Sequence, residues 1–202
     1  MARAARTVEQ PSAARHAALS GRSAGGEGVS IAVLGPAERV SLRAPAASLA
    51  ALSKALGVAL PDRPKSSALA KGGLLPAARA RAGSRAALWL GPDEWLLLDE
   101  SGSSLVADCA KAKALSSTVD ISHRNVAIAV AGPAAEATLS AGCPQDLSAA
   151  AFPVGACSRT ILGKVEIVLW RTRTDTFRVE CWRSFADYVF GFLSEAARDA
   201  AA

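Results

Sequence analysis

The sequence contains few of the residues from which catalytic and metal sites are usually built. Its 202 residues include only two histidines, His16 and His123, and four cysteines at positions 109, 143, 157 and 181. No two cysteines form a CxxC pair, and neither histidine has a cysteine or a second histidine at ligand spacing. The sequence therefore lacks suitably spaced ligands for a tetrahedral zinc site and a suitable pair for a Cys–His nucleophile. We expect reduced, mostly buried thiols, as is usual in the cytosol.

Other absences exclude whole classes of protein. The longest stretch without a charged residue is 147–158, which has 12 residues, whereas a membrane-spanning helix needs about 18 or more apolar residues. There is no glycine-rich phosphate loop, no HExxH motif and no GxSxG motif. What is present is a globular composition, with 50% hydrophobic and 20% charged residues. The chain is long enough for one large domain or two small ones.

Positive charge is in excess but is not clustered. The formal net charge is +5, and 17 arginines outnumber 6 lysines. The four arginines between positions 171 and 183 are interspersed with Asp175 and Glu180, and no RNA-binding aromatic signature or zinc-finger spacing occurs. We therefore expect no nucleic-acid partner, and interpret the charge as a solvated surface or as complementary to an acidic protein.

Composition divides the chain into an arm and a body. Residues 1–27 are rich in alanine, serine, glycine and arginine and show little apolar periodicity, which predicts a flexible arm that becomes ordered against a partner. Residues 28–202 form the predicted domain. Within it, residues 61–84 are rich in proline and glycine and predict a long loop.

Apolar periodicity and turn residues predict the same order of elements twice. The first set consists of strands at 29–34 and 40–43, a helix at 48–56, a hairpin of strands 86–90 and 95–98, and a helix at 103–115. The second set consists of a strand at 126–130, a helix at 134–141, long strands at 160–170 and 176–182, and a helix at 184–198, with Ser184 and Asp187 at capping-box distance.

Two sequence matches indicate that this order is an internal repeat. Residues 31–37 match residues 128–134 at a shift of 97, and Leu88-Trp89 matches Leu169-Trp170 at a shift of 81 that continues without a gap. We therefore predict an α+β fold of two β-α-β-β-α halves, 28–116 and 117–198. Their antiparallel sheets would carry the helices on the outside.

Three groups of residues allow either a functional or a structural interpretation. The segment from Asp120 to Arg124, which includes His123, could handle protons or bind an anion, although a surface turn capped by its Asp and Ser is the favoured interpretation. Cys143 could be a reactive thiol, but the residues around it suit a turn after a helix. Tryptophans at alternating strand positions could stack on a flat ligand but are more often core or interface anchors. The candidate interface or structural residues are Trp89, Trp95, His123, Arg124 and Trp182.

From about residue 14 to residue 198, the sequence resembles the gamma subunit of heterotetrameric sarcosine oxidase. The most specific string is ALWLGPDEWLL at 87–97. The other motifs are LGVALP at 56–61, VDISHR at 119–124, Gly142-Cys143 with Asp146-Leu147, FPVG at 152–155 and RSFADY at 183–188.

The resemblance implies a cytoplasmic complex of four different subunits. This complex oxidatively demethylates sarcosine to glycine, with hydrogen peroxide and formaldehyde or methylenetetrahydrofolate. It implies alpha, beta and delta subunits as partners, with FAD, FMN, NAD, zinc and tetrahydrofolate held by those other subunits. It also implies a fold related to the folate-binding domain of glycine-cleavage T-protein. No cofactor and no catalytic residue is implied for this chain.

Three functions remain to be distinguished. The favoured one is a non-catalytic structural subunit of such an oxidase. The second is a folate-dependent one-carbon (aminomethyl) transferase, in which Asp120 or Asp146 would have to face a pterin in a central cavity. The third is a basic nucleic-acid module, against which the scattered charge argues.

Overall fold

A computed structural model describes residues 18–70 and 85–200, which form eleven strands and four α-helices. The first half contributes β1 (Ser23–Gly26), β2 (Val29–Val33), β3 (Glu38–Arg43), α1 (Leu49–Leu56), β4 (Ser67–Leu69), β5 (Arg85–Gly91), β6 (Glu94–Asp99) and α2 (Leu105–Lys111). The second half contributes β7 (Ser117–Asp120), β8 (Asn125–Ala131), α3 (Ala135–Ser140), β9 (Cys157–Leu162), β10 (Val165–Arg173), β11 (Thr176–Trp182) and α4 (Ala186–Asp199).

The strands form two antiparallel sheets. The six-stranded sheet has the order β1-β2-β8-β11-β10-β9, and the five-stranded sheet has the order β4-β5-β6-β3-β7. Every strand pairing between described residues is antiparallel. Of the predicted α+β fold, the combination of helices with antiparallel sheets is therefore confirmed.

The sheets and helices make four layers with three apolar clusters between them. One cluster joins the six-stranded sheet to α3 and α4, and a second joins the five-stranded sheet to α1 and α2. The third lies between the two sheets and includes Leu88 and Leu96 from one sheet with Val168 and Trp170 from the other. The helices thus cover the outer faces, because each sheet buries its second face against the other sheet.

The hairpin of β5 and β6 is part of this interior, as its apolar sequence predicted. Trp95 is only 1% exposed, packs in the cluster beneath α1 and α2, and donates its ring N–H to the carbonyl oxygen of Pro61 at 2.8 Å. Both faces of the hairpin are covered, which explains why β6 is apolar at successive positions rather than at alternate ones.

The predicted match between residues 31–37 and 128–134 is wrong as a structural equivalence. Strand β2 lies beside β8 in the same sheet, and β3 occupies the position in the five-stranded sheet that β8 has in the other. The 81-residue match is one residue out of register. The pairs that close the hairpin turns are Gly91–Glu94 and Arg173–Thr176, which are 82 residues apart. A shift of one residue reverses the face of every side chain, so Trp89 packs toward the helices and Trp170 toward the other sheet.

Several predicted boundaries also differ. The segment 160–170 is not one strand, because Gly163, with a φ of 59°, makes a turn between β9 and β10. Helix α2 ends before Lys113, which has a left-handed φ of 49°. Ser184 and Asp187 do not form a capping box; the segment Arg183–Phe185 is a 3₁₀ turn without a side-chain cap.

The predicted arm and loop contain strands that the composition did not reveal. Residues Ser23–Gly26 of the arm form β1, which pairs with β2, and Leu19 is buried against the six-stranded sheet. Residues Ser67–Leu69 of the loop form β4. Residues 1–17 of the arm and 71–84 of the loop lie outside the described residues. Within residues 18–70 and 85–200, no helix combines the length and hydropathy needed to cross a bilayer.

Candidate partner-binding surface

The loop between β7 and β8 is a hydrogen-bonded turn. The Ile121 amide donates to the carbonyl oxygen of Arg39 at 2.8 Å, and the Asn125 amide donates to that of Ile121 at 3.2 Å. The carboxylate of Asp120 accepts hydrogen bonds from the Ser122 hydroxyl at 2.5 Å and from the Ser122 amide at 2.8 Å. These bonds from Ser122 lower the pKa of Asp120 below its usual range. The geometry favours the capped turn over a proton-handling loop.

This turn presents Arg124 to an exposed aromatic pair. The Arg183 amide donates to the carbonyl oxygen of Arg124 at 2.7 Å, which fixes the turn to the end of β11. The Arg124 guanidinium lies 5.2 Å from the centre of the Trp182 ring, and that ring stacks on Phe185 at 6.1 Å. We call Arg124, Trp182 and Phe185 the aromatic surface. His123 is exposed beside it.

The aromatic surface has the chemistry of a protein interface. Trp182 and Phe185 are each 42% exposed, although a monomer gains by burying such rings. Tryptophan and arginine are the residue types that most often dominate binding energy at interfaces. A guanidinium that lies over an indole ring can still donate its outward N–H groups to a carboxylate of a partner.

The other two candidate tryptophans lie elsewhere. Trp89 and Trp95 are cross-strand partners in the hairpin of β5 and β6, and both pack in the cluster under α1 and α2. Trp95 is buried and Trp89 is half-buried, so they belong to the interior. The structure thus brings Arg124 and Trp182 together, with His123 next to them, and separates them from Trp89 and Trp95.

A cavity of about 630 Å³ lies beside the same turn. Its floor is formed by small and apolar side chains of β2, of β8 and of the segment after β2, including Ala32, Val33, Pro36 and Ala127. Cationic or imidazole side chains stand around it: Arg22, Arg39, His123 and Arg183. Among the described residues that line the cavity, none is acidic.

A buried ionic network connects the two sheets near this cavity. Arg39 of β3 donates through Nε to Glu180 of β11 at 2.7 Å, and Arg178 donates through Nε to the same carboxylate at 2.9 Å. Arg178 also donates to Glu100 at 2.6 Å. Burial acts to raise the pKa of Glu180, but the charges of Arg39 and Arg178 outweigh it and hold the pKa below its usual range.

The cysteines have the properties of core residues. All four are buried and reduced. Burial raises the pKa of both Cys157 and Cys181 to about 12, which leaves almost no thiolate near neutral pH. Cys143 lies 3.9 Å from the Thr160 hydroxyl and is likewise buried. In the described part of the chain, no three His, Cys, Asp or Glu side chains come together in a way that could hold a metal ion.

Sequence patterns had not indicated the cavity or the network. The partners Arg39 and Glu180 are 141 residues apart, so no local motif connects them. A charged residue at an inward position of an otherwise apolar strand was the available signal, because such residues are almost never buried without a partner. Phe185 was missed because its stacking on Trp182 depends on the 3₁₀ turn between β11 and α4, which the sequence did not indicate.

Comparison with known proteins gives consistent matches. Residues 42–199 match the model of the sarcosine oxidase, gamma subunit family. The chain is 30% identical over 164 residues to a sarcosine oxidase subunit gamma from Corynebacterium sp. (strain P-1), covering 79% of this chain and 75% of the relative. It is 32% identical over 149 residues to the subunit gamma from Arthrobacter sp., covering 73% of this chain and 68% of that protein.

Solved structures show the same relationship. The chain superposes on a chain of the heterotetrameric sarcosine oxidase from Corynebacterium sp. U-96, in complex with pyrrole 2-carboxylate, with a TM-score of 0.76 and 30% identity. That match covers 89% of this chain and 88% of the other. The glycine cleavage system aminomethyltransferase T from Bartonella henselae matches with a TM-score of 0.57 at 14% identity, over 86% of this chain and 49% of that protein. The second likeness shows a shared fold.

Proposed function

The chain belongs to the sarcosine oxidase gamma subunit family, and we propose on this premise that it is a non-catalytic structural subunit of a heterotetrameric sarcosine oxidase. The proposed complex oxidatively demethylates sarcosine. In this complex the chain stabilises the subunits that carry out the chemistry, because an interface that buries apolar surface stabilises both partners.

The observation that carries this proposal is the aromatic surface. Trp182 and Phe185 stack on each other at the surface, and Arg124 lies over the indole ring. Such a group of hydrophobic rings is unfavourable in water and favourable inside an interface. We propose that it contacts another subunit of the oxidase.

The chemistry of the remaining side chains supports a structural role. A nucleophilic thiol needs a lowered pKa and access to solvent, whereas Cys157 and Cys181 are buried and have raised pKa values. The hydroxyl of Ser122 donates a hydrogen bond to Asp120, so it is held in a turn instead of being presented to a substrate.

The flavins, NAD, zinc and tetrahydrofolate of the proposed complex would be held by the alpha, beta and delta subunits, and the complex would be cytoplasmic.

A folate-dependent transferase is not favoured. That function would require Asp120 or Asp146 to face a ligand in a central cavity. Both side chains are exposed at the surface. Asp120 accepts a hydrogen bond from the Ser122 amide, and Asp146 accepts one from the Ser148 amide at 2.9 Å. The likeness to the aminomethyltransferase is one of fold at 14% identity.

We also propose that the fold arose by internal duplication. The strand order β4-β5-β6-β3 in one sheet and β9-β10-β11-β8 in the other supports this interpretation. The two halves would exchange one strand each, because β2 pairs with β8 and β7 pairs with β3. Superposition of residues 38–70 and 85–111 on residues 125–199 tests the proposal. A rotation that aligns both sheets supports it, and a fit limited to one hairpin contradicts it.

Co-expression tests the subunit function. The chain, carrying an affinity tag, is produced with the gene products encoded beside it, and the purified material is assayed for flavin absorbance and sarcosine-dependent hydrogen peroxide. We expect all four subunits to co-purify with activity, and the chain alone to be colourless and inactive. Purification of an active, flavin-containing oxidase that excludes this chain would contradict the proposal.

A further inference from the structure

We infer that the cavity beside the aromatic surface receives an extended, mostly apolar segment of a partner subunit that carries one carboxylate side chain. This inference rests on the proposed subunit function and specifies how the partner is held. It assigns a binding role to residues of β2, β8 and the segment after β2.

The shape and lining of the cavity suit a peptide segment. Its volume of about 630 Å³ is enough for several side chains, and it is open to solvent on one side. The lining includes small side chains, and Ala32, Ala37 and Ala127 leave room where larger residues would fill the space. Ala32 and Ala37 are half-buried, so each leaves apolar surface in contact with water. A side chain inserted into the cavity would cover this surface, which is favourable.

The charges around the cavity suit one carboxylate rather than a polyanion. Three arginines and a histidine line the cavity, and no acidic residue is among the described lining residues. Arg39 is neutralised by Glu180, with both side chains almost fully buried. Arg22 pairs with Asp187, but this pair is exposed, with side-chain exposures of 51% and 88%. An exposed pair of this kind contributes little, so Arg22 can exchange Asp187 for a carboxylate of a partner.

The cavity is continuous with the aromatic surface. The turn that carries Arg124 also lines the cavity with Ser122 and His123. Arg183, which lines the cavity, directly follows Trp182 in sequence. A subunit that covers Trp182 therefore also covers the mouth of the cavity, and a segment of that subunit can enter without a second interface.

Photo-crosslinking identifies the occupant. Benzoylphenylalanine is introduced at Ser20, an exposed residue that lines the cavity, and, as a control, at Lys54 on the exposed side of α1, and each variant is assembled with the other purified subunits. We expect irradiation to link position 20 to one peptide of a partner subunit that contains an Asp or Glu within a few residues, and position 54 to give no such link. A link to residues 1–17 of the same chain, to a second copy, or to no partner peptide would overturn the inference.

A cavity-filling substitution measures the contribution of the site. Ala32→Phe fills the cavity, whereas Ser30→Phe adds the same ring on the same face of β2 at an exposed position that does not line it. We expect Ala32→Phe to weaken assembly at least about tenfold in Kd, equivalent to about 1.4 kcal/mol, and Ser30→Phe to change it less than about threefold. If the parent chain assembles and Ala32→Phe assembles equally well, only the cavity inference fails. If the parent chain does not assemble, the subunit function itself fails.

Discussion

Replacing Glu180 with glutamine should be among the most destabilising changes of a single functional group in this chain. The carboxylate accepts from Arg39 at 2.7 Å and from Arg178 at 2.9 Å, and the side chains of all three residues are at most 4% exposed. Removing one partner of a buried ion pair costs about 3–5 kcal/mol, because a charge is left without compensation. Glutamine keeps one acceptor oxygen, and Arg178 keeps its bond to Glu100, so we expect a cost near the lower value, about 3 kcal/mol.

Urea denaturation of the isolated chain at pH 7 measures this cost. With a slope of about 2 kcal/mol per molar urea, a loss of about 3 kcal/mol lowers the midpoint by about 1.5 M. Glu166→Gln is the matched control: its side chain is 56% exposed and lies 3.8 Å from Arg159, so the change should cost less than about 1 kcal/mol. A cost of less than about 1 kcal/mol for Glu180→Gln would refute the reasoning.

The pH dependence gives an independent check. The folded pKa of Glu180 lies below its unfolded value of about 4.3. Its contribution to stability is therefore complete above about pH 5 and is lost as the pH falls through the folded pKa. The difference in the free energy of unfolding between the parent and Glu180→Gln should shrink as the pH is lowered from 5 toward about 3. A difference that stays constant over this range would contradict the assignment.

Three further predictions concern single residues. Trp95→Ala should cost about 3–5 kcal/mol in urea denaturation of the isolated chain, and Trp182→Ala, at a ring that is 42% exposed, should cost less. Equal effects would contradict the burial of Trp95. Because burial raises the pKa of Cys157 and Cys181 to about 12, these thiols should react with a disulfide reagent at pH 8 only after unfolding, and rapid labelling of the native chain would contradict their placement. His123→Ala should leave turnover of the assembled oxidase within about threefold of the parent, and a loss of about a hundredfold, or 2.7 kcal/mol of barrier, would indicate a catalytic role.

Local sequence patterns predicted the elements better than their partners. The hairpin of β5 and β6 was predictable because its turn residues and apolar strands are adjacent in sequence. The equivalence of β2 and β8 was wrong because both strands are followed by a Gly-Pro pair, and local similarity does not determine which strands pair. The turn at Gly163 was missed because apolar residues continue on both sides of it.

The candidate site could be predicted in part for the same reason. Arg124 and Trp182 were identified as residues of interest, but their contact depends on the pairing of β8 with β11, which brings together segments 57 residues apart (Asn125 with Trp182). The cavity depends on small residues such as Ala32 and Ala127 in two different strands. Alanine is so frequent in this chain, at 46 residues, that composition could not indicate which alanines leave a space.

Sedimentation velocity with absorbance at both protein and flavin wavelengths tests most directly the claim that this chain is a structural subunit. The purified chain is mixed in equal amounts with the other three subunits and compared with a mixture that contains the double variant Trp182→Ala and Phe185→Ala. The account predicts one flavin-containing species with the parent chain, and a separate, colourless boundary for the double variant. Sedimentation of the parent chain apart from the flavin-bearing subunits, or a flavin absorbance band in the isolated chain, would contradict it.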